Sequence, residues 1–547
     1  GSVNDDQPSL VRLVAGPSTG ISGISGTSGT SGTSGTRGTR YTRHTRCSES
    51  PRGPRSETMS AQLVRQHAVK RRACTPQRLI LALAASGTLL LAGCATVDIN
   101  QSVVRTNQEL RDFTGGKLNL AQSDAQRATL QSSANALLAK PLAQDDAVHL
   151  ALINSPAMQA MLAQSWAEAA SAAQAGRLPN PILTLERLRL PLEIDIGRML
   201  AFGLLDVLTL PQRFRTANAR VEQVQLQLTT DVVDKVTQVR QAWVAALAAK
   251  QSLTYAQQVS DSAEASAELA RRMLAVGNFN KLQRARQQAF YADAAAQLAN
   301  ASHAATASRE ALIRVLGLTD AQARQLQLPE RLPDMPTGAR TGEDVSSAAS
   351  RGRLDIRMAQ AAVNATAAAQ GLNAITSFTD IELSVIRNTS IERADGHRTN
   401  ARGFEVAVKL PIFDWGGLQR DAMSAQMLSA ASQLEATVRA AGSNLRESYS
   451  AYRTTYDIAR HYRDEIVPLR KLIADENLLR YNGMIIGVFE LLADSRDQIS
   501  SVIAAINAQQ QFWMADAALQ SSIMGKPMRT QSMGAAAVAA GGGDAPH

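Results

Sequence analysis

The sequence predicts a mainly α protein with a small β part, built as a duplicated helix–strand–strand–long helix–helix unit. Two observations carry that prediction. Only 4% of the 547 residues are aromatic, and long stretches are dominated by Ala, Gln, Ser and Leu. That composition suits extended helices packed through small side chains better than a large globular core. In addition, landmarks of the first half recur in the second at a nearly fixed distance. Gly277 falls on Gly483 at an offset of 206, which also pairs Leu228 with Leu434, Val232 with Val438, Val239 with Leu445 and Trp243 with Tyr449. Pro211 meets Pro411 at 200, and Gly317 meets Gly525 at 208.

Within each copy the elements follow one order. A first helix is expected over Ala143–Gln174 and again over Ser350–Gln370, the former opening on Asp145 and Asp146, carboxylates suited to a helix N-terminus. Two short β-like runs come next. A very long helix follows at roughly 212–275 and 417–481, then a glycine turn and a return helix reaching about 316 and 523. The long helices carry a seam. Leu434, Val438, Ala441, Leu445, Tyr449, Tyr452, Tyr456 and Ala459 step by four and three, as do Leu228, Val232, Val236, Val239, Trp243 and Ala246. This is coiled-coil spacing. At 1.5 Å per residue each long helix would run on the order of 95 Å, deeper than a single globular domain. Pro468 is expected to bend the second one near its tip. The chain therefore divides into a first repeat at 141–317, a connection at 318–342, a second repeat at 343–525 and a Gly/Ala-rich tail at 526–547 expected to be disordered.

The β-like runs alternate. "GFEVAVKLP" places Phe404, Val406, Val408 and Leu410 on one face and Glu405, Ala407 and Lys409 on the other; "DIELSVI" sets Ile381, Leu383 and Val385 against Glu382 and Ser384. Between them "RNTSIERADGHRTNAR" reads as a polar loop. The first copy's pair, "PILTLERLRL" and "RMLAFGLLDVLTL", is more apolar and alternates less cleanly. Strands of about ten residues, apolar outside and polar inside, are what an outer-membrane barrel presents; a soluble hairpin with one buried face would alternate too. Four strands cannot close a barrel, since the smallest have about eight, and an open edge cannot survive in lipid. If these strands span a membrane, several chains must contribute.

The first 94 residues differ in character. From Gly26 the chain repeats with a period of three, "GTSGTSGTSGTRGTRYTRHTR", a composition that cannot bury enough apolar surface to order itself. Met59 then opens a basic stretch carrying Arg65, Lys70, Arg71, Arg72 and Arg78, followed by an apolar run from Leu79 to Ala92. A basic n-region, a short h-region and small residues at the end make a secretory signal; the run is shorter than the ~20 residues of a membrane-spanning helix. Leu91-Ala92-Gly93-Cys94 fits the lipobox of bacterial lipoproteins, whose cysteine accepts diacylglycerol. Met59 is read as the biological start, 1–58 as upstream sequence, 59–93 as the signal peptide, Cys94 as the lipidated first residue of the mature chain and 94–140 as a lipid-anchored linker. The expected lipids are diacylglycerol and an N-acyl chain such as palmitate; no other cofactor is expected. Ala95, in place of the Asp that retains such proteins in the inner membrane, implies the outer membrane.

Charge and cysteine usage exclude other classes. The formal net charge is +9, but residues 1–93 hold 12 basic and 4 acidic residues, leaving the body at +1. A nucleic-acid partner loses its main support. The three cysteines are Cys47, Cys74 and Cys94, so the body carries no thiol, as suits an oxidising compartment. No enzyme is read from the chain. The seven histidines show no i, i+4 pair and no cysteine partners, so no metal site is expected, and neither a phosphate loop nor a nucleophile elbow appears. His397 reads as a solvated loop residue, and the Tyr449, Tyr452 and Tyr456 stripe as helix packing rather than a ligand ladder.

With lipobox, duplicated unit, strand pairs and coiled-coil helices in place, the chain resembles the TolC family of outer-membrane efflux proteins, in its lipid-anchored branch serving resistance-nodulation-division pumps. The resemblance covers about 144–525 and rests on "SPAMQAMLAQSWAEAASAAQAGRLPNP", "RLDIRMAQAAV", "LPIFDWGG" and "RYNGMIIGVFELLADSRDQ". It implies a homotrimer, with a shared 12-stranded transmembrane β-barrel, four strands per chain, above a long coiled-coil α-barrel crossing the periplasm. A mixed belt would draw on 318–342, parts of 95–140 and the C-terminus. It also implies a passive exit duct whose partners are outer-membrane lipid, a periplasmic adaptor and an inner-membrane pump. By position the docking tips are Val276-Gly277-Asn278 and Asn482-Gly483-Met484, where Gly suits a tight reversal because it tolerates positive φ. Family members often carry acidic rings just above the second tip. Glu490 is the match here, while the acid three residues on is replaced by Ala493 beside Asp494. Three copies of Glu490 around an axis would favour cations; a simple pairing of Glu490 with a nearby cation is the other reading. A lipid-anchored coiled-coil scaffold or adhesin without channel activity is the alternative function.

Overall fold

The computed structural model describes residues 98–527; Cys94, the segments 1–58 and 59–93 and most of the tail lie outside the described residues. The part expected as a linker is helical from its first described turn. Helices α1 (Ile99–Glu109), α2 (Arg111–Thr114) and α3 (Asp124–Leu138) run through it. Asp98 caps α1 by accepting from Asn100 N–H at 2.9 Å, and Ser123 and Gln126 form a capping box on α3. Ile99, Val103, Leu110, Phe113 and Leu138 are buried in the main core, so burial of apolar area rather than tethering fixes this segment.

The first repeat then runs α4 (Gln144–Asn154), α5 (Pro156–Gln174), β1 (Ile182–Arg189), β2 (Glu193–Gly203), α6 (Leu204–Ala275) and α7 (Lys281–Leu316). The single helix expected over 143–174 is broken at Ser155, because Pro156 lacks an N–H and starts a new helix at its first position. The connection holds α8 (Asp320–Gln325) and α9 (Gly342–Ala349). The second repeat follows as α10 (Leu354–Thr376), β3 (Ile381–Glu392), β4 (Arg398–Val408), α11 (Gly417–His461), a π turn at Tyr462–Ile466, α12 (Val467–Asn482) and α13 (Val488–Ile523). Both repeats show the same order, and both return helices span 36 residues.

Two boundaries differ from the sequence expectation. The second strand of the first copy ends at Gly203, and "LLDVLTL" is the start of α6. An apolar run without period fits either state, and Pro211 is tolerated two turns in, spanned by an Arg213–Asp206 ion pair. The polar loop expected over 387–402 is mostly strand: β3 and β4 pair from Ile381–Val408 up to Ile391–Arg398. Only 393–397 turns, with Gly396 left-handed at φ 73°.

The seam of α6 is the spine of the core. Leu228, Val232, Val236, Val239, Trp243 and Ala246 are all buried, and Trp243 Nε1 donates to the Leu142 carbonyl at 2.8 Å. In the seam of α11, Ala441, Tyr452, Tyr456 and Ala459 are buried and Val438 is exposed, as are Leu418 and Leu428 nearer the start of the helix. The tyrosines pack as expected of a helix face. Tyr452 and Tyr456 enclose Phe512 and hold the connection, the Tyr452 hydroxyl accepting from Arg340 N–H at 3.1 Å and that of Tyr456 donating to the Pro336 carbonyl at 3.2 Å. The α geometry is interrupted just ahead of Pro468 by the π turn at Tyr462–Ile466, so Pro468 lies at the very start of α12, where its missing N–H is tolerated.

Candidate functional site

Three places bear on function: the sheet, the two hairpin tips and the acidic start of α13. The sheet has the order β1-β2-β3-β4, antiparallel throughout, so both outer strands keep an open edge within one chain. All residues of β1 and β4 are exposed. Register places Leu183, Leu200, Val385 and Phe404 in one row, with Phe202, Leu383 and Val406 in the next. Phe404 is 78% and Leu183 62% exposed, an apolar face that water would penalise. Below it, at the helix end of the sheet, Phe413 and Trp415 are also exposed. Among the described residues no helix is long and apolar enough to cross a membrane. His397 sits exposed in the β3–β4 turn, its N–H donating to Asp395 at 2.9 Å.

The tips close by the same hydrogen bonds, displaced by one residue. In the first, Gly277 N–H donates to Leu274 O and Asn278 N–H to Met273 O, with Gly277 left-handed at φ 78°. Asn280 then opens α7 with a capping box to Gln283. In the second, Met484 N–H donates to Tyr481 O and Ile485 N–H to Arg480 O. Gly483 stays at φ −80°, and the left-handed residue is Met484 at φ 57°. The expectation that Gly483 supplies positive φ is therefore corrected: the structural partner of Gly277 is Met484, at an offset of 207. A left-handed L-residue costs about 1–2 kcal/mol, and Met484 is 94% exposed, so packing gives nothing back. Met484→Gly is expected to stabilise the chain by about 1 kcal/mol, read as a higher thermal midpoint in detergent. A lower midpoint would contradict the assignment. Val276, at 71% exposure, and Asn482 complete the two exposed tips.

The tips are joined by an aromatic pair that sequence reasoning did not single out. Phe279, just past the first turn, and Phe489, in the first turn of α13, lie with ring centroids 4.5 Å apart. Higher up, the Arg496 guanidinium sits 4.7 Å over the Phe290 ring. Near the first tip Arg271 and Arg272 each donate to Glu268 at 2.8 Å and hold its carboxyl below the usual range. Glu490 is exposed in the first turn of α13 and has no ion pair or hydrogen bond among the described residues. Its simple pairing with a nearby cation is not what the fold shows. Asp494 faces the neighbouring helix instead, accepting from the Asn477 amide.

The second repeat, residues 345–519, matches the family model described as outer membrane efflux protein. That match covers about a third of the chain, all of it within the second repeat. No curated protein matches it by sequence. Among solved structures, a membrane protein from Pseudomonas aeruginosa superposes with a TM-score of 0.56 at 22% identity, covering 70% of this chain and 93% of its own. The outer membrane protein VceC of Vibrio cholerae gives 0.55 at 16%, covering 72% and 97%. The open state of the MtrE outer membrane channel of Neisseria gonorrhoeae gives 0.55 at 18%, covering 71% and 91%. These likenesses show the fold over 70–72% of this chain, far more than the second repeat alone accounts for.

Within the described body a largely buried polar cluster links the two repeats. Arg240 of α6 donates to Gln520 Oε1 at 2.6 Å and to the Phe113 carbonyl at 2.9 Å, and covers the Phe113 ring at 4.5 Å. Gln520 in turn donates to Asp516 at 2.6 Å, and Arg340 approaches that carboxylate at 3.4 Å. Burial pushes the Asp516 carboxyl up and pulls the Arg240 guanidinium down. Arg240 lies 280 residues from Gln520 and 127 from Phe113 in sequence, so no local signal announced these contacts.

Proposed function

We propose that this outer-membrane efflux channel works as the exit duct of a tripartite pump, assembled as a homotrimer and anchored by lipid on Cys94. One observation carries the reading: a four-stranded sheet with one apolar face and two open edges, mounted on helices of 72 and 45 residues. Such a sheet is stable in lipid only if β4 of one copy pairs with β1 of the next until the ring closes, and twelve strands from three chains suffice. The exposed Leu418, Leu428 and Val438 of α11 supply an apolar flank for a neighbouring copy. Phe413 and Trp415 suit the headgroup level at the periplasmic rim.

In this reading the tips around Gly277 and Met484 receive a periplasmic adaptor, which links the duct to a resistance-nodulation-division pump in the inner membrane. Cargo passes without covalent chemistry, and the body offers no enzymatic step. Glu490, exposed and unpaired just above the second tip, would ring the mouth three times. The test is extraction of the full chain in detergent. A heat-modifiable trimer with single-channel conductance in planar bilayers is expected, whereas a soluble, non-conducting dimer would favour the scaffold reading. Glu490→Gln is expected to lower the cation-over-anion permeability ratio several-fold while leaving trimer assembly intact, because field focusing in a narrow mouth depends on that carboxylate. Unchanged selectivity would remove Glu490 from the gate. Cys94→Ser is expected to abolish acyl labelling; persistent labelling would refute the anchor.

A further inference from the structure

All charges on the sheet are sorted by sign between its two faces. The register puts Arg187, Arg189, Arg198, Arg387, Arg398 and Arg402 on the face of Phe404 and Val385. The opposite face holds every acid of the four strands: Glu186, Glu193, Asp195, Glu382, Glu392 and Glu405. The arginine face is also the apolar one, carrying Leu183, Leu200, Phe202, Leu383, Val385, Phe404 and Val406, and the proposed barrel therefore turns it toward lipid.

Three of these arginines stand in direct register. Arg198 pairs with Arg387 and Arg387 with Arg402, immediately beyond the row of Leu183, Leu200, Val385 and Phe404 on the side away from the helices. Like charges placed opposite one another across strands repel. None of the six guanidiniums has an ion pair or a hydrogen bond among the described residues. From Val408 to Arg402 is about 20 Å along the strand, less in height once the strand tilts by about 45°. With Phe413 and Trp415 below, the row falls at the outer edge of an apolar band of about 25 Å. An arginine there lays its methylenes on lipid and raises its head to the headgroups.

Building on the channel reading above, we propose that the Arg198–Arg387–Arg402 row binds the phosphates of the phosphorylated glycolipid of the outer leaflet. Planar guanidiniums accept phosphate oxygens in bidentate fashion, and one polyanionic headgroup relieves the repulsion of three adjacent cations. The acids are all on the other face, so nothing competes for them.

The test uses the full-length oligomer, stripped of lipid in neutral detergent and offered lipid A carrying two phosphates, the same lipid dephosphorylated, or inorganic phosphate. Native mass spectrometry reads the bound lipid, and bilayer recording in neutral lipid reads the channel. The triple variant Arg198→Gln, Arg387→Gln, Arg402→Gln is expected to lose at least tenfold in affinity for the phosphorylated lipid and to behave like the parent toward the dephosphorylated one. The single variant Arg387→Lys, which keeps the charge, is expected to lose much less than Arg387→Gln. Equal retention by parent and triple variant, or displacement of lipid by millimolar inorganic phosphate, would overturn the proposal. Lipid retention without conductance would remove the channel reading and leave the arginine row standing. Conductance without phosphate-dependent retention would do the reverse.

Discussion

Gly525→Ala is expected to destabilise the protein by about 3–5 kcal/mol, the sum of a left-handed backbone penalty and forced overpacking. Gly525 has φ 92°, and a Cβ there would lie 2.8 Å from the backbone nitrogens of both Leu354 and Asp355. Those atoms cannot move aside, because Leu354 N–H donates to the Met524 carbonyl at 2.9 Å. Gly317 repeats the arrangement in the first copy, with φ 66° and its added Cβ 2.5 Å from Pro156 Cδ and 2.8 Å from Ser155 Cα. Each glycine closes its repeat by seating the end of the return helix on the start of the helix that leads into that repeat's strands, α5 in the first copy and α10 in the second. Gly371, inside α10 with open space around it, is the control: Gly371→Ala is expected to stabilise by about 0.5–1 kcal/mol. Thermal dissociation of the detergent-extracted oligomer measures all three. Midpoints for Gly525→Ala and Gly317→Ala equal to that of the parent would refute the account.

Phe512→Ala is expected to cost about 3–5 kcal/mol through lost burial and the cavity left behind. Phe512 is fully buried, with ring centroids 5.6 Å from Tyr452, 5.7 Å from Tyr456 and 5.0 Å from Trp513. These side chains carry the hydrogen bonds that hold the connection: Tyr452 to Arg340, Tyr456 to Pro336, and Trp513 Nε1 to the Pro333 carbonyl at 3.1 Å. Removing the ring therefore loosens the later part of the connection, whose buried Met335 packs in the same cluster as Tyr452, Tyr456 and Phe512. Limited proteolysis provides the check, since trypsin has Arg331 and Arg340 to cut in that segment. Cleavage there at the parent's rate, in a variant of unchanged midpoint, would show that Phe512 does not support the connection.

The sequence made the repeats, the long helices and the second strand pair legible for one reason: each buries or exposes a single face, and periodicity records that. Phe404, Val406 and Val408 alternate with polar residues, and their strand lies where they place it. Where both faces are apolar the period vanishes, so the boundary at Gly203 between β2 and α6 could not be read. Where charges alternate instead of hydrophobicity, as over 387–402, strand passes for loop. The location of both tips was readable from glycine, but the residue that turns left-handed was not. It depends on which N–H reaches which carbonyl, and in the second tip that residue is Met484. Contacts such as Phe279 with Phe489 and Arg240 with Gln520 join residues far apart in the chain, and periodicity carries no trace of them.

The π turn at Tyr462–Ile466 has a bearing on how the two copies keep in step. Upstream of it the copies align at 206, with Trp243 on Tyr449; beyond it the tips align at 207, with Gly277 on Met484. The second copy therefore carries one residue more than the first between these two landmarks. In an unbroken α-helix, an added residue would swing everything beyond it by about 100° and lift it by about 1.5 Å. Confined to a single wide turn ahead of Pro468, the extra residue leaves α12 in register with α13. The two arms are alike, and one extra residue held in a wide turn accompanies the shift of the left-handed position from glycine in the first tip to Met484 in the second.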